Sequence, residues 1–183
     1  MPKVSPEHAA ARREQILGGA RRCFARFGYE GATVPRLERE IGLSHGAIFN
    51  YYRSKLELFF ELARADHARF ERVWEEDGFE ALAAAIAGED PAWLGVYLEF
   101  HRLLRTDARL ARRWRRTREA AGDEHDWLAR ERAAGRIRTD VPKESLFAFL
   151  HTVLDGLVLA RTSGAELDVA PVVALVREAL LPR

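Results

Sequence analysis

The stretch from Thr33 to Lys55 constrains this chain more than any other. It holds two short helical segments joined at a glycine. Thr33 reads as an N-cap, and Pro35 falls in the first turn, where its missing N–H costs little. Leu37 and Ile41 give that segment an inner face, and Gly42 ends it. Ser44 caps the second segment, in which Ile48 and Tyr52 lie four apart and share an inward face. His45, Gly46, Ala47, Phe49, Asn50 and Tyr51 are left on the other sides, followed by Arg53 and Lys55. A surface so rich in hydrogen-bonding and aromatic groups suits the base edges and backbone of DNA. A surface helix of no special role has the same periodicity, so the flanking sequence decides.

Residues 6–27 form a longer helical pattern, with Ile16, Leu17, Ala20, Phe24 and Phe27 at helical spacing. Gly18 and Gly19 weaken it by about 1 kcal/mol each, which close packing of another helix explains. Gly28 is a natural terminator. A long helix followed by two short ones around a glycine turn is the helix-turn-helix layout, whose second helix enters the major groove. Thr33, at a helix N-terminus, offers backbone N–H groups and a hydroxyl to a phosphate. Charge points the same way: residues 1–56 carry ten Lys or Arg against five Asp or Glu, while the remainder is net negative.

Ser54 and Glu57 form a capping box that opens a helix to about Asp77. Because it starts at the DNA reader and runs into the body, it can transmit displacement. A short apolar helix from Phe79 to Ala87 follows, and Asp90-Pro91 caps another that runs to about Thr106. Residues 107–134 read as one long helix that Gly122 bends or breaks, and residues 143–162 and 169–181 as two more. The run Arg109, Arg112, Arg113, Arg115, Arg116 and Arg118 suits a phosphate site or a solvated face, and the acids at Glu119, Asp123, Glu124 and Asp126 favour the face. With no strand evident, the fold class is all-α: a three-helix helix-turn-helix domain over 1–53 and a helical bundle over 54–183. The apolar stripes of the last two helices are too wide for one-sided burial. A symmetric four-helix dimer interface is the economical answer, built from Phe147, Leu150, Leu154, Val158, Val172, Val173, Val176 and Leu180. Burial within the chain is the alternative.

The residues from Thr33-Val34 through Ile41-Gly42-Leu43-Ser44-His45-Gly46-Ala47-Ile48-Phe49-Asn50-Tyr51-Tyr52-Arg53-Ser54-Lys55 to Leu58 resemble the N-terminal signature of the TetR family of bacterial transcriptional regulators. Ile16-Leu17, Ala20, Phe24, Gly28-Tyr29 and Thr33 match it too. The resemblance implies a DNA-binding regulator, most simply a repressor released by a small apolar or amphipathic effector. Position by position it places Thr33, Tyr51 and Lys55 on phosphates. Base edges face Arg36, His45, Gly46, Ala47 and Asn50, with Ser44 as cap. Phe49 stands where the family usually has a tyrosine, so the hydroxyl contact is not implied there. Asp155-Gly156-Leu157 resembles the family's dimer helix. The resemblance also implies an effector cavity, for which Trp93, Tyr97, Phe100, His101, Trp114, Trp127, Phe147 and His151 are the candidates.

Other chemistries find little support. Gly42-Leu43-Ser44-His45-Gly46 fits the G-x-S-x-G pattern of hydrolases, but that elbow needs a buried strand before it, and residues 36–41 are charged and helical. His67, His101, His125 and His151 lack metal-ligand spacing, so neither metal nor cofactor is expected. Cys23 alone excludes an internal disulfide. No apolar run approaches the roughly 18 residues of a membrane span, and the N-terminus lacks the apolar core of a signal peptide. The expectation is a cytoplasmic homodimer on a palindromic double-stranded operator, with no membrane partner. A DNA-binding regulator without an effector is the alternative.

Overall fold

The computed structural model describes residues 6–121 and 126–182, and all its regular elements there are helices. They are α1 (Pro6–Gly31), α2 (Val34–Ile41), α3 (His45–Phe49), α4 (Lys55–Ala87), α5 (Pro91–Thr106), α6 (Ala108–Ala121), α7 (Asp126–Ala133), α8 (Lys143–Thr162) and α9 (Val169–Leu180). Gly122, Asp123, Glu124 and His125 lie outside the described residues.

The expected punctuation sets the ends. Gly28 breaks α1 at φ 68°, and Gly42 closes α2 at φ 76° while its N–H donates to the Glu38 carbonyl. Gly78 kinks α4 at φ 82°, and a Cβ there would sit 2.7 Å from the Trp127 indole nitrogen. Glycine is therefore required twice over at that kink, for conformation and for space. Ser54 Oγ accepts the Glu57 N–H at 3.1 Å, and Glu57 reaches back past the cap to accept the Arg53 N–H at 2.7 Å, a one-residue variant of the capping box. Asp90, Asp107 and Asp168 cap the next helix starts in the same way.

Gly19 explains its own presence: an added Cβ would lie 2.6 Å from the Ile41 Cα, so α1 and α2 meet backbone to backbone. Gly18 has no such role, since its nearest neighbour is the end of Arg22. Two buried clusters form. The first joins Ile16, Phe24, Leu37, Ile41, Ile48 and Tyr52 to Leu58, Phe59, Phe60, Trp93, Phe100, Leu110 and Trp114. It runs across the boundary expected at residue 53, so the head shares its core with the body. The second gathers Trp74, Phe79, Leu82, Ile86, Leu94, Leu128 and Leu150 with neighbours from α8 and α9.

The structure corrects the expected pairing surface. Leu150, Leu154, Val158, Val176 and Leu180 are buried in that second cluster, and Phe147, Val172 and Val173 are half-buried. All but Val172 belong to or pack against the chain's own second cluster, because α8 packs on α4, α5 and α7, and α9 on α4. The large apolar groups that α8 and α9 leave exposed are Phe149, Leu159 and Leu175. Helix α8 also departs from the expected lack of a long apolar run: it has 20 residues and a mean hydropathy of 1.3 in its richest window. It meets the length and composition of a span while its buried face packs in the core.

Candidate nucleic-acid interface and ligand cavity

Helices α2 and α3 stand on the first cluster through Leu37, Ile41 and Ile48, with Tyr52 behind them. Their other faces are open. Thr33 is an exposed N-cap whose hydroxyl makes no cap hydrogen bond, and Ser44 is the same. Both hydroxyls and the amides behind them are available to an anion. His45, Gly46 and Asn50 are exposed, and a Cβ at Gly46 would meet nothing within 4 Å. Ala47 is half-buried. Phe49 is half-buried against the cluster, with its ring 4.5 Å from that of His45. α3 spans five residues, shorter than its sequence pattern, because Asn50 and Tyr51 leave the helix as a turn.

Three expected contacts have partners within the chain. Lys55 Nζ donates to the Tyr29 carbonyl at 2.8 Å and lies 4.3 Å from the Tyr29 ring centroid. Arg36 donates to the Gly31 carbonyl at 2.8 Å and stacks over Phe27. Tyr51 lies under Arg13, 5.8 Å from ring centroid to guanidinium. Lys55 and Arg36 thereby tie the Tyr29–Gly31 turn to the reader. An ammonium keeps further donors and a guanidinium has five, so both retain hydrogen-bonding capacity. Arg13 is the residue that sequence reasoning did not place at the interface. Its signal lies in three dimensions, because α1 brings it beside Tyr51 from 38 residues away.

Burial raises the Tyr52 hydroxyl pKa above its usual value, and burial raises that of Cys23. Tyr52 is thus a neutral core ring, and Cys23 an inert structural thiol. Ser44 sits between two helices, with Gly42 in a left-handed turn, so the strand-to-helix context of a nucleophile elbow is absent around it.

The body encloses a cavity of about 600 Å³ between α4, α5, α6 and α8. Of the candidates from sequence, Tyr97, His101, Trp114, Phe147 and His151 line it. Three candidates do not. Trp93 donates its indole N–H to Asp66 and is covered by Arg21, 4.2 Å from its ring. Phe100 is fully packed in the first cluster, between Phe59 and Trp114. Trp127 lies across the Gly78 kink, 5.3 Å from Trp74. Sequence reasoning missed the α4 wall, where His67, Phe70, Glu71, Trp74 and Glu75 line the cavity. Residues 67, 71 and 74 follow helical spacing, but periodicity does not distinguish a cavity wall from a core stripe.

Among the described residues no group of three His, Cys, Asp or Glu side chains is arranged to hold a metal. The cavity wall is linked to the head by rings in contact. Trp114 meets Phe100 at 4.8 Å and Phe60 at 5.7 Å, Phe100 meets Phe59 at 5.7 Å, and Phe59 meets Phe24 at 5.0 Å and Tyr29 at 4.7 Å.

Residues 16–62 match the family described as bacterial regulatory proteins, tetR family. The chain is 47% identical to the HTH-type transcriptional repressor Rv1474c of Mycobacterium tuberculosis, over 91% of this chain and 90% of that one. It is 44% identical to the HTH-type transcriptional repressor AcnR of Corynebacterium diphtheriae, over 92% and 90%. In fold it is similar to GusR of Salmonella enterica, with a TM-score of 0.75 at 19% identity over 97% and 96%. With its helix-turn-helix head, shared core and extensive identity to these repressors, the chain belongs to the TetR family and is a DNA-binding transcriptional regulator.

Proposed function

We propose that this chain is a homodimeric repressor that reads a palindromic operator and leaves it when a small apolar or amphipathic effector fills the cavity. One observation carries the reading: the buried cluster beneath the DNA-facing helices is the same cluster that supplies Trp114 to the cavity wall. A ligand pressing on Trp114 therefore presses on packing that holds Ile48 and Tyr52 in place. Close-packed interiors transmit such displacement because they have little free volume. A coupling of about 1–3 kcal/mol is enough for useful control. The relatives Rv1474c and AcnR are named repressors, which favours that direction of control.

Thr33, Ser44 and Tyr51 are the phosphate-facing set, supported by Lys55 and Arg13. His45, Gly46, Ala47 and Asn50 face base edges, with Asn50 able to pair its amide with adenine. Dimerisation uses the outer face of α8 and α9. On α8, Phe149, Thr152, Gly156 and Leu159 are exposed at spacings of three and four, and on α9 Ala174 and Leu175 are exposed. Two such helices per chain make a four-helix contact. Such a repressor works in the cytoplasm, where its operator is.

A gel shift on the DNA flanking its own gene tests the reading. Binding to a palindrome that weakens steeply with added salt is expected, because released counterions drive phosphate contacts. No binding to any palindrome at low salt overturns the operator claim. Binding that no small molecule weakens overturns the effector claim alone.

A further inference from the structure

The cavity has a second chamber with a different chemistry. A cleft of about 790 Å³ between α4 and α6 is lined by Arg64, Arg109, Arg112, Arg113 and Arg116. His67, Ala68 and Glu71 line both spaces, so the cleft and the cavity lie side by side across one turn of α4. Arg109, Arg112, Arg113 and Arg116 lie three, four and seven residues apart, which places them on one face of α6.

The acids nearby leave this face with an excess of positive charge. Glu61 pairs with Arg64 at 2.9 Å and with Arg113 at 3.3 Å. Glu71, among the described residues the one carboxylate that lines the cleft, pairs with His67 at 2.9 Å. Asp107 sits near Arg109 and Arg112, but its carboxylate accepts the backbone amides of Arg109 and Leu110. Among the described residues five guanidinium groups thus face three carboxylates, Glu61, Glu71 and Asp107, which leaves two more positive charges than negative. The inner chamber is more apolar, walled chiefly by Phe70, Trp74, Leu82, Ile86, Leu94 and Phe147, although Glu75, Glu76 and Asp155 also lie on its lining.

We infer that the effector is an amphiphilic anion, with an apolar body in the inner chamber and an organic phosphate head in the α6 arginine cleft. Guanidinium groups suit this head because each presents two parallel N–H donors to phosphate oxygens. The inference rests on the effector reading above and narrows it from any apolar ligand to one charge and one orientation. It also gives α6 a role, since Arg113 stacks on Phe60 at 3.8 Å within the aromatic contacts that reach the head.

The test is calorimetric titration of the full chain with three probes of matched chain length, octyl phosphate, octanol and octyltrimethylammonium, and with inorganic pyrophosphate as the headgroup alone. Octyl phosphate should bind at least about ten-fold more tightly than octanol and more tightly than pyrophosphate. In the R112E/R116E variant that advantage over octanol should fall to about two-fold or less, with octanol binding unchanged. The R112Q/R116Q variant should lie between, and operator binding without ligand reports that each variant is folded. A phosphate advantage that survives in the charge-reversed variant overturns the inference, as does tighter binding of octyltrimethylammonium. Pyrophosphate binding as tightly as octyl phosphate also overturns it, because the site then takes free phosphate without the cavity. Binding of all three amphiphiles without preference removes the arginine cleft but leaves the effector reading intact. Binding of none removes both.

Discussion

Asp66 is the most exacting place to test the energetics of this fold. It lies on α4, is 6% exposed, and accepts three kinds of donor. Arg21 from α1 donates to both oxygens, at 2.8 and 2.9 Å. The Trp93 indole from α5 donates to Oδ2, and Arg69 reaches Oδ1 at 3.5 Å. One carboxylate therefore fastens the DNA-binding head to two helices of the body. Removing one partner of a fully buried ion pair costs about 3–5 kcal/mol. Arg21, however, has a side chain that is 32% exposed, and it keeps Glu89 as a partner at 3.0 Å. Its stranded charge is therefore part-solvated and part-paired, which lowers the expected loss for Asp66→Ala to about 2–3 kcal/mol. The exposed pair Glu80–Arg177 is the control. It is shorter, with both contacts at 2.6 Å, yet its side chains are 49% and 62% exposed. Glu80→Ala should cost less than about 1 kcal/mol, since solvent screens the pair. Urea unfolding at fixed protein concentration measures both. An Asp66→Ala loss under about 0.5 kcal/mol, or a Glu80→Ala loss of equal size, refutes the argument that burial and not distance sets the magnitude.

Other consequences are as direct. Gly19→Ala places a methyl 2.6 Å from the Ile41 Cα, so α1 and α2 must separate; a loss of about 1–3 kcal/mol is expected, with weakened operator binding, measured by thermal melting and gel shift. Burial raises the Glu89 pKa, but the Arg69 hydrogen bond, the Asp90 amide and the Arg21 and Arg69 charges outweigh it, leaving it below the ordinary 4.5. A carboxylate depressed in the folded state adds stability that is fully present above its unfolded pKa and lost as pH falls through its folded one. The stability difference between wild type and Glu89→Gln should therefore shrink as pH drops below about 4.5, followed by denaturant melts across that range. Leu159→Glu and Leu175→Glu place charges on the exposed α8 and α9 faces, so sedimentation should show monomers while circular dichroism remains helical.

The sequence made the ends of elements and the reader legible, because both depend on local chemistry. Gly28, Gly42 and Gly78 stop or kink helices through their own backbone freedom, and Ser54 with Glu57 closes a box within one turn. What the sequence left open depends on distant partners. Leu150 and Leu159 share a helix and a residue type, yet one is fully buried and the other 60% exposed. Periodicity assigns faces but does not say which neighbour each face meets. Trp93 illustrates the same limit: an aromatic on an apolar face, it is held by Asp66 from 27 residues away and not by a ligand cavity. Lys55 and Arg36 matched phosphate-contact and base-reading positions, and their bonds to the Tyr29 and Gly31 carbonyls became visible only with the turn in place.

Titration of fluorescent double-stranded DNA from the region flanking the chain's own gene, at about 0.15 M salt, tests the central claim most directly. Two chains should bind each palindrome, with a preference of at least about a thousand-fold over the same DNA with the palindrome scrambled. Equal affinity for the scrambled DNA, or saturation by one chain, would contradict it.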